Sequence, residues 1–374
     1  MADFFKDVLV LRQGDAQGNQ MILRLTTPQG EPLHAIAVPR EGHSYTGPTW
    51  AYLFENEGLT MIDSGVMDSY AELAEGIQFV GYQPSDLERV IITHGHEDHD
   101  GAVGQLIDES GAELWAHEIY SYLLPFAPRD IQGRPISPIQ IERERVVDAN
   151  QARPDRNPSR VQYLEKRKGL SVKQRIKAGD TAGKLTFLST PGHSPDELCI
   201  TLDGAVFTGD HVLPEITPHP TSKTEYTPEV KHSLPHEYHH EDSFYGLETY
   251  LRSLKVVTEL GPDMSVLPAH RLYNRDKFNF ATTARALDTI GHHGQRLEQI
   301  LEIIGSDPIG LEDVTRRTFQ HRVLDGGNLY AALSEVVAHL ELLEDAGDVD
   351  ITEEPMIRAT GNHNSRQLLR ELVV

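Results

Sequence analysis

Three histidines and an aspartate fall within positions 94–99 of the run Thr93-His94-Gly95-His96-Glu97-Asp98-His99-Asp100-Gly101, directly after the apolar Val90-Ile91-Ile92. A tight turn at the end of a buried strand would point His94, His96, Asp98 and His99 into one small volume. Imidazoles and carboxylates packed together need costly partners unless they hold metal ions, so metal binding is the chemistry this spacing predicts. Glu97, between the candidate ligands, is expected to face outward and form salt links.

Four further segments share the pattern. Asp63 ends Met61-Ile62-Asp63, His193 lies in Thr190-Pro191-Gly192-His193, Asp210 in Phe207-Thr208-Gly209-Asp210, and His270 follows Leu267-Pro268-Ala269. Each follows an apolar run and stands beside a turn former, as expected where rigid strands hand side chains to loops at one sheet edge. Asp63 could equally cap the next helix. His117 and His211 read as structural or rim residues, and Cys199 as a small core residue. His219, His232, His236, His239 and His240 read as parts of a solvated lid.

The elements that must position these residues are legible from periodicity. Strand-like alternation covers residues 8–11, 21–25, 50–54 and 59–62, with Asn56-Glu57-Gly58 as a hairpin turn. A helix is expected over 69–80, a strand over 90–92, a helix from about 101 to 109, and strands over 113–116, 185–188, 198–202, 205–208 and 265–267. Residues 244–260 look helical. Strands alternating with helices predict an α/β layered architecture. Two stretches break the rhythm, at about 125–180 and 212–244, and the first holds a helix near 161–168. From about 281 the pattern turns helical: Leu297, Ile300, Leu301 and Ile304 share a face, as do Leu329, Leu333, Val336, Leu340 and Leu343. Val349 and Ile351 then mark a short strand pair, which suggests a small winged-helix-like module. The expected division is a catalytic domain over 1–280, carrying both irregular stretches as insertions, and a helical domain over 281–374.

Composition sets outer bounds. The 374 residues carry 57 acidic against 34 basic side chains, a net charge of −23, which disfavours binding to nucleic acid or anionic lipid. Against that background Arg153, Arg156, Arg160, Lys166, Arg167, Lys168, Lys173, Arg175 and Lys177 form a basic island. One cysteine excludes an internal disulfide and fits a reducing cytoplasm. The opening residues lack the basic and apolar regions of a secretory leader, and no apolar run reaches membrane-spanning length.

These segments resemble the metallo-β-lactamase fold superfamily, whose signature is His-x-His-x-Asp-His followed by a separate His, Asp and His. The resemblance covers about residues 50–270. It implies an αββα sandwich of the metallo-β-lactamase type with a small helical, winged-helix-like C-terminal domain. By motif it implies that His94, His96 and His193 bind one metal and that Asp98, His99 and His270 bind a second. Asp210 would bridge the two, and Asp63 would orient a ligand imidazole through its other nitrogen. Gly209-Asp210-His211-Val212-Leu213-Pro214 and the stretch over residues 291–301 are similar to the lactamase-beta-like-2 branch. Where that branch often reads His-Arg, this chain has His292-His293.

The chemistry so implied is hydrolysis by a metal-bridging hydroxide, with two Zn2+ ions (or Fe or Mn) lowering the pKa of water. Asp98 and Asp210 are the carboxylates nearest the reaction, and Asp98 would orient the nucleophile or shuttle its proton. The favoured substrate is a small carboxylic ester, thioester or lactone. The basic island would bind an anionic handle such as the phosphates of coenzyme A. The alternative is a metal-dependent endoribonuclease or phosphodiesterase gripping RNA with its tail. Glu312, Asp313, Glu335, Glu341, Glu344, Asp345, Asp348 and Asp350 crowd that tail and would repel phosphates. The module can equally serve dimerisation, so a homodimer is a further expectation.

Overall fold

The structure is a computed structural model that describes residues 4–40, 45–127, 131, 135–152 and 159–373. The chain forms two compact units, one drawn from 1–127, 157–218 and 256–286, the other from 128–156, 219–255 and 287–374. Parts of both irregular stretches thus group with the C-terminal helices rather than standing as insertions in the first unit. Among the described residues no helix is long and apolar enough to cross a membrane.

In the first unit, eight strands form a sheet in sequence order: β1 (Asp7–Arg12), β2 (Ile22–Thr26), β3 (Pro32–Val38), β4 (Thr49–Glu55), β5 (Leu59–Ile62), β6 (Arg89–Ile91), β7 (Glu113–His117) and β8 (Val172–Ile176). Pairing is antiparallel through β5 and parallel from β5 to β8. Glu57 (φ 52°) and Gly58 (φ 118°) turn β4 into β5 with the positive φ values that match strand twist. A second sheet has the order β13 (Ser265–Pro268), β12 (Ala205–Gly209), β11 (Leu198–Leu202), β10 (Leu185–Ser189), β9 (Thr181–Ala182). There only β12 and β13 pair in parallel.

Strand direction decides where the chemistry collects. Parallel β5 and β6 release Asp63 and the 93–101 turn from the same end of the first sheet. In the second sheet β10 runs against β11, and β11 against β12, so β10, β12 and β13 share one direction. His193, Asp210 and His270 therefore leave that sheet at one edge.

The sheets face one another across Trp50, Tyr52, Phe54, Ile62 and Ile91 from the first, and Phe187, Ile200, Phe207 and Leu267 from the second. Phe54 stacks on Phe207 at 5.4 Å and Tyr52 meets it edge-on at 5.1 Å. The other face of the first sheet, including Ile36, Leu53, Met61 and Val90, is covered by Leu73 and Ile77 from helix Tyr70–Phe79 and by Val103 and Leu106 from helix Val103–Ser110. With both faces covered, β4 is buried at six consecutive positions, Thr49 to Phe54.

The second unit is mainly helical. It contains helices Pro138–Ala149, Leu311–Thr318, Gly326–Asp345 and Ser365–Val373, and most of Ala284–Ile304. A small sheet pairs Met356–Ala359 with both Val349–Ile351 and Ile309–Gly310. Leu329, Leu333, Val336, Leu340 and Leu343 are buried along one long helix, which ends before Gly347 (φ 72°). The Glu341 carboxylate ties segments of this unit together, accepting from Gln140 Nε2 at 2.6 Å and from the Lys223 backbone N–H at 2.8 Å.

Candidate metal centre

The 93–100 loop is fixed by hydrogen bonds before any ligand enters. Asp63, held at φ 59° in the left-handed region, accepts from the Thr93 backbone N–H at 2.8 Å and from the Thr93 hydroxyl. Its Oδ2 also accepts a hydrogen bond from His99 Nδ1 at 2.8 Å. A non-glycine residue in that conformation is costly and persists where its surroundings over-determine it. The carbonyl of His99 accepts from both the backbone N–H and the hydroxyl of Ser64, each at 2.8 Å. The Thr49 hydroxyl donates to the Asp98 carbonyl at 2.8 Å. Asp63 thus lies behind His99, rather than capping the helix that follows.

The outer nitrogens then converge. His94 Nε2 and His193 Nε2 lie 2.9 and 3.2 Å from His96 Nδ1. His270 Nε2 is 3.5 Å from Asp98 Oδ2 and 3.5 Å from Asp210 Oδ1, and His99 Nε2 is 3.7 Å from the same Asp210 oxygen. The other Asp210 oxygen faces His193 Nε2 at 3.6 Å. Three sets therefore stand close enough to share an ion: His94, His96 and His193; Asp98, His99 and His270; and His94, His99 and Asp210. All seven residues expected from the sequence come together in the first unit.

The donor set fits divalent metal. His99 Nε2, His270 Nε2 and Asp210 Oδ1 are buried and have no hydrogen-bond partner. Their spacing is long for a hydrogen bond, yet it matches the edge of a tetrahedron of ligands around one ion, about 3.4 Å for bonds near 2.1 Å. The inner nitrogens are already engaged: His99 with Asp63, and His270 Nδ1 with the Pro48 carbonyl at 2.9 Å. That fixes each ring and leaves its outer lone pair for the metal.

Charge points the same way. Burial, reinforced by the neighbouring imidazoles, holds His94 well below the ordinary histidine pKa and keeps it neutral. Burial acts likewise on His99, but the charges of Asp63 and Asp210 overcome it and raise His99 well above the ordinary value. His270 is raised against burial by Asp210 and Asp98. Burial would raise Asp98 and Asp210, yet the facing histidines hold both low. The carboxylates demand positive charge at this spot, and a cation would release the protons that otherwise supply it.

Sequence reasoning missed Glu197. This fully buried carboxylate accepts from the Asp210 backbone N–H at 3.1 Å through Oε1, and its Oε2 lies 3.3 Å from His94 Nδ1. Gly209 (φ 49°) lets the chain pass, since a Cβ there would come within 2.5 Å of Glu197 Oε1. Burial, with the charge of Asp210 beside it, raises its pKa well above the usual carboxylate range. Arg40 was also missed; its guanidinium stands 3.3 Å from Asp98 Oδ2. Glu97 does form its salt link, to Arg160 at 3.3 Å. His117 caps helix Glu118–Leu123 by accepting from Ile119 N–H, and Cys199 is buried in β11.

Of the basic island's seven described residues, Arg160, Lys166, Lys168, Lys173, Arg175 and Lys177 are exposed, several of them paired with acids, and Arg167 alone turns inward. Arg167 is buried against Asp100, Lys166 and Lys168 pair with Asp108 and Glu165, and Lys177 with Glu118. Arg153 and Arg156 lie outside the described residues.

The model of the metallo-beta-lactamase superfamily matches residues 44–270. The chain is 23% identical over 325 residues to the probable metallo-hydrolase YqjP of Bacillus subtilis, spanning 84% of this chain and 92% of that protein. It is 26% identical over 167 residues to the uncharacterised protein YobT of the same organism, spanning 44% of this chain and 61% of YobT. A metallo-beta-lactamase family protein of Thermus thermophilus has a similar fold, with a TM-score of 0.63 at 22% identity over 87% of this chain and 98% of that one. A beta-lactamase domain protein of Burkholderia ambifaria gives 0.62 at 22% identity, over 87% of this chain and 90% of that one. With the family model spanning the residues that build the centre, the chain belongs to the metallo-β-lactamase superfamily.

Proposed function

We propose that this metal-dependent hydrolase holds two divalent ions and cleaves a carboxylic ester, thioester or lactone that carries a negative group. His94, His96 and His193 would hold one ion and Asp98, His99 and His270 the other, with an oxygen of Asp210 turned to each set. Imidazole and carboxylate donors without thiolate favour zinc, with iron or manganese as alternatives. Ions of this kind lower the pKa of water toward neutrality and polarise the scissile oxygen. The observation that carries the reading is the convergence of three buried, unpartnered atoms, His99 Nε2, His270 Nε2 and Asp210 Oδ1.

The chain's own residues do the rest. Asp98 and Asp210 stay ionised and can accept the hydrogen bond that orients an attacking water. Asp63, Glu197 and the Pro48 carbonyl hold three of the imidazoles in place. Support for an anionic substrate comes from Arg40 and Arg160, about half exposed and paired with Asp98 and Glu97 beside the centre. In so acidic a protein two such cations favour a carboxylate or phosphate near the scissile bond, coenzyme A thioesters included. The single buried cysteine agrees with a cytoplasmic setting.

The test sets p-nitrophenyl acetate, an acyl-coenzyme A and a lactone beside fluorogenic RNA, using zinc-loaded and chelator-stripped protein. Metal-dependent turnover of an ester, thioester or lactone is expected. RNA cleavage with inert esters would replace this reading with the nuclease one, and full activity in the stripped protein would end both.

A further inference from the structure

Arg167 lies in a basic run yet turns inward. Its side chain is 5% exposed, and Nε donates to Asp100 Oδ2 at 3.1 Å. Nη1 approaches the carbonyls of Leu123, Leu124 and Phe126 at 3.4–3.5 Å, and the guanidinium stacks over the Tyr120 ring. Asp100 is fully engaged in turn: the Tyr163 hydroxyl donates to Oδ1 at 2.6 Å and the Tyr120 hydroxyl to Oδ2 at 2.9 Å. Tyr163 and Arg167 sit four residues apart on helix Ser159–Lys168 and so present to one side.

A second contact lies at the other end of the loop. A Cβ at Gly95 would come within 2.9 Å of both Arg167 Nη2 and the Tyr120 ring. The guanidinium therefore lies directly against the backbone between His94 and His96, while its ion pair holds the residue after His99. A buried ion pair returns little net stability compared with apolar packing. What a fully satisfied polar hub does supply is one fixed geometry.

We propose that Arg167 is a positioning residue for the metal centre, gripping the ligand loop at both ends through Gly95 and Asp100. This rests on reading His94, His96 and His99 as ligands, and the measurement separates the two ideas. Zinc affinity is read by chelator competition on Arg167→Met, Tyr163→Phe, wild type and the control Leu73→Ala. Leu73 is buried on helix Tyr70–Phe79 under the first sheet and is none of the residues that hold Gly95 or Asp100, so its loss tests lowered stability without touching that grip. Arg167→Met is expected to weaken zinc binding about 10–100-fold, the usual cost of losing support behind a ligand. Tyr163→Phe, which keeps its ring and folds more readily, should weaken it about threefold. Leu73→Ala should bind as wild type does.

Wild-type zinc affinity in both loop variants would overturn the proposal, as would an equal loss in Leu73→Ala. If Arg167→Met fails to fold, Tyr163→Phe against Leu73→Ala decides by the same criterion. Wild-type protein that takes up no zinc would overturn the functional reading, and this one with it.

Discussion

Both units bury histidines, and for His99 and His270 of the first unit the electrostatic outcome is opposite to that in the second, while burial and the neighbouring imidazoles keep His94 low. In the second unit His293 Nδ1 and His339 Nε2 meet at 3.1 Å, and His339 Nδ1 donates to the Glu335 carbonyl at 2.6 Å. Burial pushes the His339 pKa down to about 4, against the pull of Glu335, and His293 is also held well below its ordinary value. Such rings are neutral and serve packing. In the first unit equally buried rings face Asp63, Asp98 and Asp210, and those charges lift His99 and His270 instead. Among the described residues, every group able to hold a metal lies in that first set. Burial alone makes a histidine neutral; a ring of carboxylates around it makes a place for a cation.

The comparison breaks most visibly at Asp210. Asp210→Ala removes the oxygens turned to both sets, so turnover should fall by more than about a hundredfold, beyond the usual loss for a residue behind the ligands. Metal analysis should then give fewer ions per chain than in wild type. Retention of full metal content and rate would mean the carboxylate ring does not define the site. Glu197→Gln should act less severely, weakening metal binding by about tenfold, because an amide replaces the carboxyl group beside His94 Nδ1 while the Asp210 N–H keeps an acceptor. His339→Leu should leave metal content unchanged; a fall would show that the second histidine group is no mere packing feature.

The candidate ligands are legible in the sequence because four of them are nearly contiguous and the others stand at strand ends within two residues of Gly or Pro. Glu197 is not, since it has neither periodicity nor a turn former to single it out. The usable signal is a carboxylate immediately before the wholly apolar start of β11, where it must be buried. Composition misplaces Arg167 because it counts charges without their direction; the four-residue spacing from Tyr163 on a helix points to a shared face. Strand β3 escapes a search for alternation because it is buried on both sides, so Leu33 to Val38 show little of it. Helix Pro138–Ala149 lies in a stretch that looks irregular, although Ser137 caps it and Pro138 opens it. The division into units depends on which segments pack together, and local pattern carries little of that.

The subtlest prediction concerns two residues of one helix whose titrations oppose. Burial raises the Glu341 pKa to about 7 despite its hydrogen bonds from Gln140 and Lys223. A carboxyl with a raised folded pKa binds more protons folded than unfolded, so its contribution falls as pH climbs from about 4.5 to about 7. His339, depressed to about 4, binds fewer protons folded, so its contribution rises with pH between about 4 and 6.5. Each effect is at most about 3 kcal/mol, and across the shared window they offset one another. Removing one at a time should expose the titration of the group removed. Measured by denaturant unfolding as a difference from wild type at each pH, Glu341→Gln should gain stability as pH rises toward 7. His339→Leu should gain as pH falls toward 4. Parallel curves for both variants would show that neither group titrates across these intervals, and the contrast between neutral packing histidines and a charged metal centre would lose its support in the second unit.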